Sequence, residues 1–237
     1  MLRVHLALLV AAGGLMSHSG GPNAQTVSEG VLEAMSGDWL VAPDDGRPGC
    51  HLKLGVEAAI GGYGIELAPG CGKALPQIAD AAAWRFGSDG GLAFANALRK
   101  TILTFVESED ATYATAAEPG KRLLLVKAPD GVNAVTNARD VFGNWSVAGT
   151  AGKSVCNVIF SDRPPPGGEE SYALSLQGTC EPRLAQSKLV SWRVEGLALM
   201  LYGTDGDSLT FEPDGKGGFV EQPRDDGRML RLVRRQP

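Results

Sequence analysis

The sequence predicts an all-β protein in which one unit occurs twice. Three observations carry that reading. Apolar residues alternate along short runs, as they do where one face of a strand is buried and the other is wet. Asp-Gly and Gly-Gly pairs punctuate those runs, and the 237 residues include 32 glycines and 14 prolines, a turn-rich composition. Finally, a series of landmark residues recurs in the same order in the two halves of the chain.

The repeat organises everything else. Gly37-Asp38-Trp39 is matched by Gly143-Asn144-Trp145, and eleven residues after each tryptophan comes a cysteine, Cys50 or Cys156. A second cysteine follows, Cys71 or Cys180, and then a second tryptophan, Trp84 or Trp192. Thr104-Phe105 is matched by Thr210-Phe211, and Tyr113 by Phe219. The copies close on Leu123-Leu124-Leu125-Val126 and Met229-Leu230-Arg231-Leu232. The second copy is longer between its cysteines, and Arg163 to Gly168 reads as an inserted loop tip. The predicted organisation is a leader over 1–24, a first unit over 25–127, a linker over 128–141 and a second unit over 142–237. Pro129-Asp130-Gly131 marks a turn at the start of the linker.

The leader has the parts of a secretory signal peptide. Arg3 supplies a positive start, Val4 to Met16 is a short apolar stretch, and small and polar residues run from Ser17 to Ala24. The apolar stretch is too short to cross a membrane. The favoured cleavage, after Ala24, leaves Gln25 as the first residue of a periplasmic or secreted protein, with cuts near Ser19 or Gly21 as the alternatives and no membrane insertion after the leader is removed.

Within each unit the elements follow from local pattern. Thr26 followed by Glu29 forms a capping box and predicts a helix from Thr26 to Met35. Leu52, Leu54 and Val56 alternate, as do Ile65 and Leu67, Trp84 and Phe86, and Leu92 and Phe94. In the second unit Val190, Trp192 and Val194 alternate, as do Leu197, Leu199 and Leu201. Each set belongs on one face of a strand. Turn signals separate the strands at Asp89-Gly90-Gly91, Asp205-Gly206, Asp214-Gly215 and Asp226-Gly227. Pro76 to Ala83, proline-led and alanine-rich, predicts a second short helix. Short strands at regular spacing imply a sandwich or an up-and-down barrel.

The chemistry available is sparse. A net charge of −5 offers no footprint for nucleic acid. In an exported chain the cysteines read as one staple per unit, Cys50–Cys71 and Cys156–Cys180. A shared four-cysteine metal site lacks Cys-x-x-Cys spacing and would have to join separate repeats. Removal of the leader takes away His5 and His18, so the mature chain keeps only His51, and its counterpart in the second unit is Asn157. A catalytic triad built on His51 has no support, and the bland reading is an exposed strand residue. Asp44-Asp45 and Glu169-Glu170 sit in loop-like stretches as solvated carboxylates. The four tryptophans read as core filling before they read as a ligand pocket. No enzyme activity and no cofactor are indicated.

Ser36-Gly37-Asp38-Trp39, followed by Cys50, Leu52, Leu54, Cys71 and Trp84, resembles the bacterial alkaline-protease (serralysin) inhibitor family. Phe142-Gly143-Asn144-Trp145 through Cys156, Cys180 and Trp192 resembles it a second time. The resemblance implies an eight-stranded antiparallel barrel of lipocalin-like shape with one disulfide, here in tandem. It also implies a periplasmic inhibitor of secreted zinc metalloproteases. Its partner would be a secreted protease, reached by a short trunk whose terminal amine can ligate the protease's zinc. The trunk here would be Gln25, Thr26, Val27, Ser28 and Glu29. The chain departs from the family type in having two units, and the second has no free amine. It also departs in its first mature residue, since Gln25 can cyclise and lose its amine. Two other functions remain open at this level: a lipocalin-like carrier of a small apolar ligand and a cell-envelope interaction module.

Overall fold

The computed structural model describes residues 29–87, 90–108, 112–116, 121–149, 154–168, 170–222 and 228–235. The predicted leader and residues 25–28 of the predicted trunk lie outside them.

Two closed antiparallel barrels of eight strands each stand in tandem. The first contains β1 (Gly37–Pro43), β2 (Cys50–Ala59), β3 (Gly62–Leu67), β4 (Ala83–Phe86), β5 (Leu92–Ala95), β6 (Thr101–Glu107), β7 (Tyr113–Ala114) and β8 (Leu123–Val126). Each strand pairs with the next, and β8 returns to β1 through Leu40 opposite Val126 and Ala42 opposite Leu124. The second repeats this meander with β9 (Gly143–Ala148), β10 (Ser154–Phe160), β11 (Tyr172–Gln177), β12 (Leu189–Glu195), β13 (Ala198–Gly203), β14 (Ser208–Pro213), β15 (Phe219–Glu221) and β16 (Arg231–Arg234). There β16 closes on β9, Leu232 opposite Val147. Closure leaves neither sheet with an open edge.

A short helix leads into each barrel, α1 (Glu29–Met35) before β1 and α3 (Ala138–Val141) before β9. Between helix and strand the chain turns on Gly37 at φ 103° and Gly143 at φ 115°. Side chains with a Cβ rarely adopt that backbone region, which accounts for the glycine of the repeated Gly-x-Trp. Helix α2 (Cys71–Ala74) follows β3, and α4 (Pro182–Gln186) follows β11.

The inward faces are filled with rings. Trp39, Trp84, Phe94 and Phe105 are buried in the first core, with the Phe94 and Phe105 centroids 5.0 Å apart. Trp145, Phe160, Trp192 and Phe211 are buried in the second, with Phe160 and Trp192 5.2 Å apart. The two copies use the same cross-strand pair. Tyr63 stands opposite Trp84, 5.3 Å between centroids, and Tyr172 stands opposite Trp192, 5.0 Å. Cys50 is bonded to Cys71 and Cys156 to Cys180, with Cα atoms 5.0 and 4.8 Å apart. Each bridge ties the strand after the first tryptophan to the segment after the third strand of its barrel.

Several local expectations are corrected. Pro76 to Ala83 is not a helix: a 3-10 turn covers only Pro76–Ile78, and Ala83 opens β4. The sheet claims this segment's backbone, since Ala82 donates to Ala95 O at 2.9 Å and accepts from the Ile65 amide at 3.1 Å. Of the helix expected from Thr26 to Met35, Glu29–Met35 is helical, and Thr26, Val27 and Ser28 lie outside the described residues. Val56 and Val190 leave their alternating sets and are exposed. The pairing register shifts at both places: one extra residue between Leu189 and Ser191 bulges the strand at Val190, and the stretch between Leu54 and Ala58 that holds Val56 leaves the regular ladder. Leu197 also leaves its set. It occupies the turn between β12 and β13, buried against the other barrel instead of inside its own.

A candidate inhibitory end of the first barrel

Helix α1 lies at the end of the first barrel where β1 begins. Met35 is buried in the core and Leu32 packs against it, while Glu29, Glu33 and Val31 are exposed. Seven residues make a helix too short to hold itself in water, so its place is set by tertiary contacts. The Trp39 indole N–H donates to Met35 O at 2.9 Å. The Lys127 ammonium donates to Ala34 O at 2.8 Å and sits 5.2 Å from the centre of the Trp39 ring. Ser36 closes the helix, its amide donating to Leu32 O at 3.0 Å and its hydroxyl to Glu33 O at 2.8 Å. The Tyr113 ring meets Trp39 edge-on at 6.1 Å, and its hydroxyl lies 3.5 Å from Met35 Sδ. Burial, and secondarily the charge of Glu107, raises the pKa of that hydroxyl.

The second barrel carries the same device. The Trp145 indole N–H donates to Val141 O at 2.7 Å. The Arg234 guanidinium donates to Asp140 O and to Phe142 O, and lies 5.5 Å from the Trp145 ring centre. A tryptophan below and a cation above therefore fix each leading helix to its barrel. Sequence reading found the tryptophans and missed the cations. The available signal was a lysine or arginine at the end of the last strand in both copies.

Of the predicted trunk, only Glu29 falls within the described residues, as the exposed first residue of α1. Gln25, Thr26, Val27 and Ser28 lie outside them. The other singled-out residues have ordinary structural duties. His51 is half-buried on β2, and its Nε2 pairs with Asn133 Oδ1 at 3.1 Å. Asp45, in the turn after β1, pairs with Arg47 at 2.7 Å, which holds its carboxyl below the usual range. Asp214 accepts the Lys216 and Gly218 amides at 2.8 and 2.9 Å, closing the β14–β15 turn. Among the described residues no group of three or more His, Cys, Asp or Glu side chains is placed to hold a metal ion. No described helix is long and apolar enough to cross a membrane.

A cleft of about 610 Å³ opens at the foot of α1 between the barrels. Met35, Trp39 and Tyr113 line it from the first barrel, and Glu195, Met200 and Glu212 from the second.

A search of curated proteins found no match. A family model, described as protease inhibitor Inh, matches the chain twice, over residues 29–127 and 135–234. Each match spans one leading helix and one closed barrel, so the chain belongs to the Inh family of protease inhibitors, with the family's barrel present in tandem.

Proposed function

We propose that the chain inhibits secreted zinc metalloproteases of the serralysin type, acting in the periplasm or outside the cell. The segment Gln25–Glu29 of the first barrel would enter the protease cleft. The observation that supports this most is the anchoring of α1. A trunk continuing from Glu29 would leave a helix already bonded to the barrel through Trp39 and Lys127. A segment projected from a fixed base loses less freedom on binding than a loose tail. An α-amine titrates at about 7.7–8.0, so near neutrality a useful fraction is unprotonated and able to ligate the protease's zinc. The two disulfides suit an oxidising compartment.

The carrier reading has less support, because aromatic side chains occupy the space a small ligand would need inside each barrel. An envelope module would use an exposed apolar patch. The apolar outer face of β1 and β8, with Leu40, Ala42 and Val126, is already covered by other parts of the chain.

The test is a titration of the mature protein, and of a form lacking residues 25–29, against a serralysin-type zinc protease and a serine protease. The expected result is inhibition of the zinc enzyme alone, lost with the deletion. Equal inhibition by both forms would sink the trunk mechanism, and no inhibition of either enzyme would sink the function. Amino-terminal sequencing of the mature protein identifies the first residue, and a terminus blocked by cyclised Gln25 would rule out amine ligation.

A further inference from the structure

Gln25 stands fourteen residues before Trp39, and Gly131 stands fourteen before Trp145. By the repeat, residues 131–135 therefore occupy the place of a second trunk. They do not project from the second barrel. Val132 and Val135 are 7% and 3% exposed, packed in one cluster with Leu40, Ala42 and Val126 of the first barrel and Leu197 of the second. Asn133 is bound to the first barrel at both ends of its polar surface. Its carbonyl accepts the Gly49 amide at 2.7 Å, and its Oδ1 pairs with His51 at 3.1 Å. The Thr136 hydroxyl donates to Leu197 O at 2.7 Å.

The approach is close enough to exclude side chains. A Cβ at Gly215, on the second barrel, would stand 2.1 Å from Asp130 O, and one at Gly131 would stand 2.8 Å from Gly215 O. Both glycines have positive φ, 69° and 83°. Drawing this segment out into a protease cleft would return Val132, Val135 and Leu197 to water and break these hydrogen bonds together.

We infer that the segment at the position of a second trunk has become an inter-barrel clamp. The tandem chain then binds one protease, and its second barrel is a fixed flank beside the trunk of the first. The binding part of this inference rests on the trunk reading above; the clamp does not. The cleft at the foot of α1 shows where the flank lies. Glu195, Met200 and Glu212 of the second barrel and Met35, Trp39 and Tyr113 of the first line it, so the second barrel stands beside the helix from which the trunk would continue.

The test uses the full mature chain and a purified serralysin-type zinc protease. The titration endpoint is expected at one protease per chain. Leu197→Asp places a carboxylate in the shared cluster but in neither barrel core. It should enlarge the scattering radius of the chain, split thermal unfolding into two transitions and weaken inhibition about tenfold, with the endpoint unchanged. Thr136→Val, a milder change, should move the same readouts in the same direction. An endpoint of two proteases per chain would overturn the inference. So would Leu197→Asp and Thr136→Val chains with native scattering, a single transition and undiminished inhibition. If the unaltered chain inhibits no protease, the functional reading fails, and scattering and unfolding still decide the clamp.

Discussion

Lys127 sits over Trp39, its ammonium 5.2 Å from the ring centre, and reaches from just beyond the last strand of the first barrel to the helix that precedes the first strand. Arg234 does the same over Trp145. In each copy one side chain from the end of the barrel meets the element at its beginning. The aromatic ring beneath supplies a negative face, and the exposed carbonyls at the helix end supply acceptors.

Replacing Lys127 with methionine should cost about 1 kcal/mol, since an exposed cation–π contact and one charge-assisted hydrogen bond are lost from a solvent-accessible side chain. Arg234→Met should cost a similar amount. Urea unfolding of the two variants checks this. The two should then separate in function: Lys127→Met loosens α1 and weakens protease inhibition, whereas Arg234→Met leaves inhibition unchanged.

Glu221 on β15 is 4% exposed, and its carboxylate pairs with Arg183 on α4 and accepts the Leu230 amide at 3.1 Å. Arg183→Met would remove the guanidinium that pairs with this buried carboxylate, at a cost of about 3 kcal/mol. The double variant Arg183→Met with Glu221→Leu should recover much of that loss, because removing both charges spares the desolvation of either. A thermodynamic cycle from urea unfolding of the single and double variants measures the coupling.

Stability should fall at alkaline pH. Burial, with Glu107 second, raises the Tyr113 pKa above its usual 10.0. Burial, followed by the hydrogen bond to Glu195, raises that of Tyr202. A raised folded-state pKa means that stability is fully present below the unfolded value and is lost as pH rises through the folded one. The decline should therefore begin above pH 10.0 and be shallower in Tyr113→Phe, which has no hydroxyl to ionise there. Urea midpoints across the alkaline range, read beside the ultraviolet absorbance of tyrosinate, test both statements.

The repeat made much of this architecture legible before any coordinates. Trp39 and Trp145, Cys50 and Cys156, and the other landmarks keep their order because each occupies the same place in a barrel core. Two recurrences of one core imply two barrels. The failures also have a common physical origin. Pro76 to Ala83 has helical composition, but its backbone groups at Ala82 are needed by the neighbouring strands. Val56 and Val190 obey the alternation in sequence, but irregularities in strand pairing displace them, and such an irregularity depends on how two strands meet.

By itself the sequence determined the all-β class, the duplication and the pairing of cysteines within each copy, because those follow from periodicity and order along one chain. The family also followed from that order. The tertiary structure decided what lies between the copies. Leu197 looked like one more inward-facing strand residue, and residues 131–135 looked like a tether. Together they form an apolar seam with Leu40, Ala42 and Val126, groups distant in sequence. No local pattern encodes such a seam, because each contributor satisfies its own segment's propensities equally well buried or exposed. Only the positions of two closed barrels relative to one another bring those faces together and make their removal from water favourable.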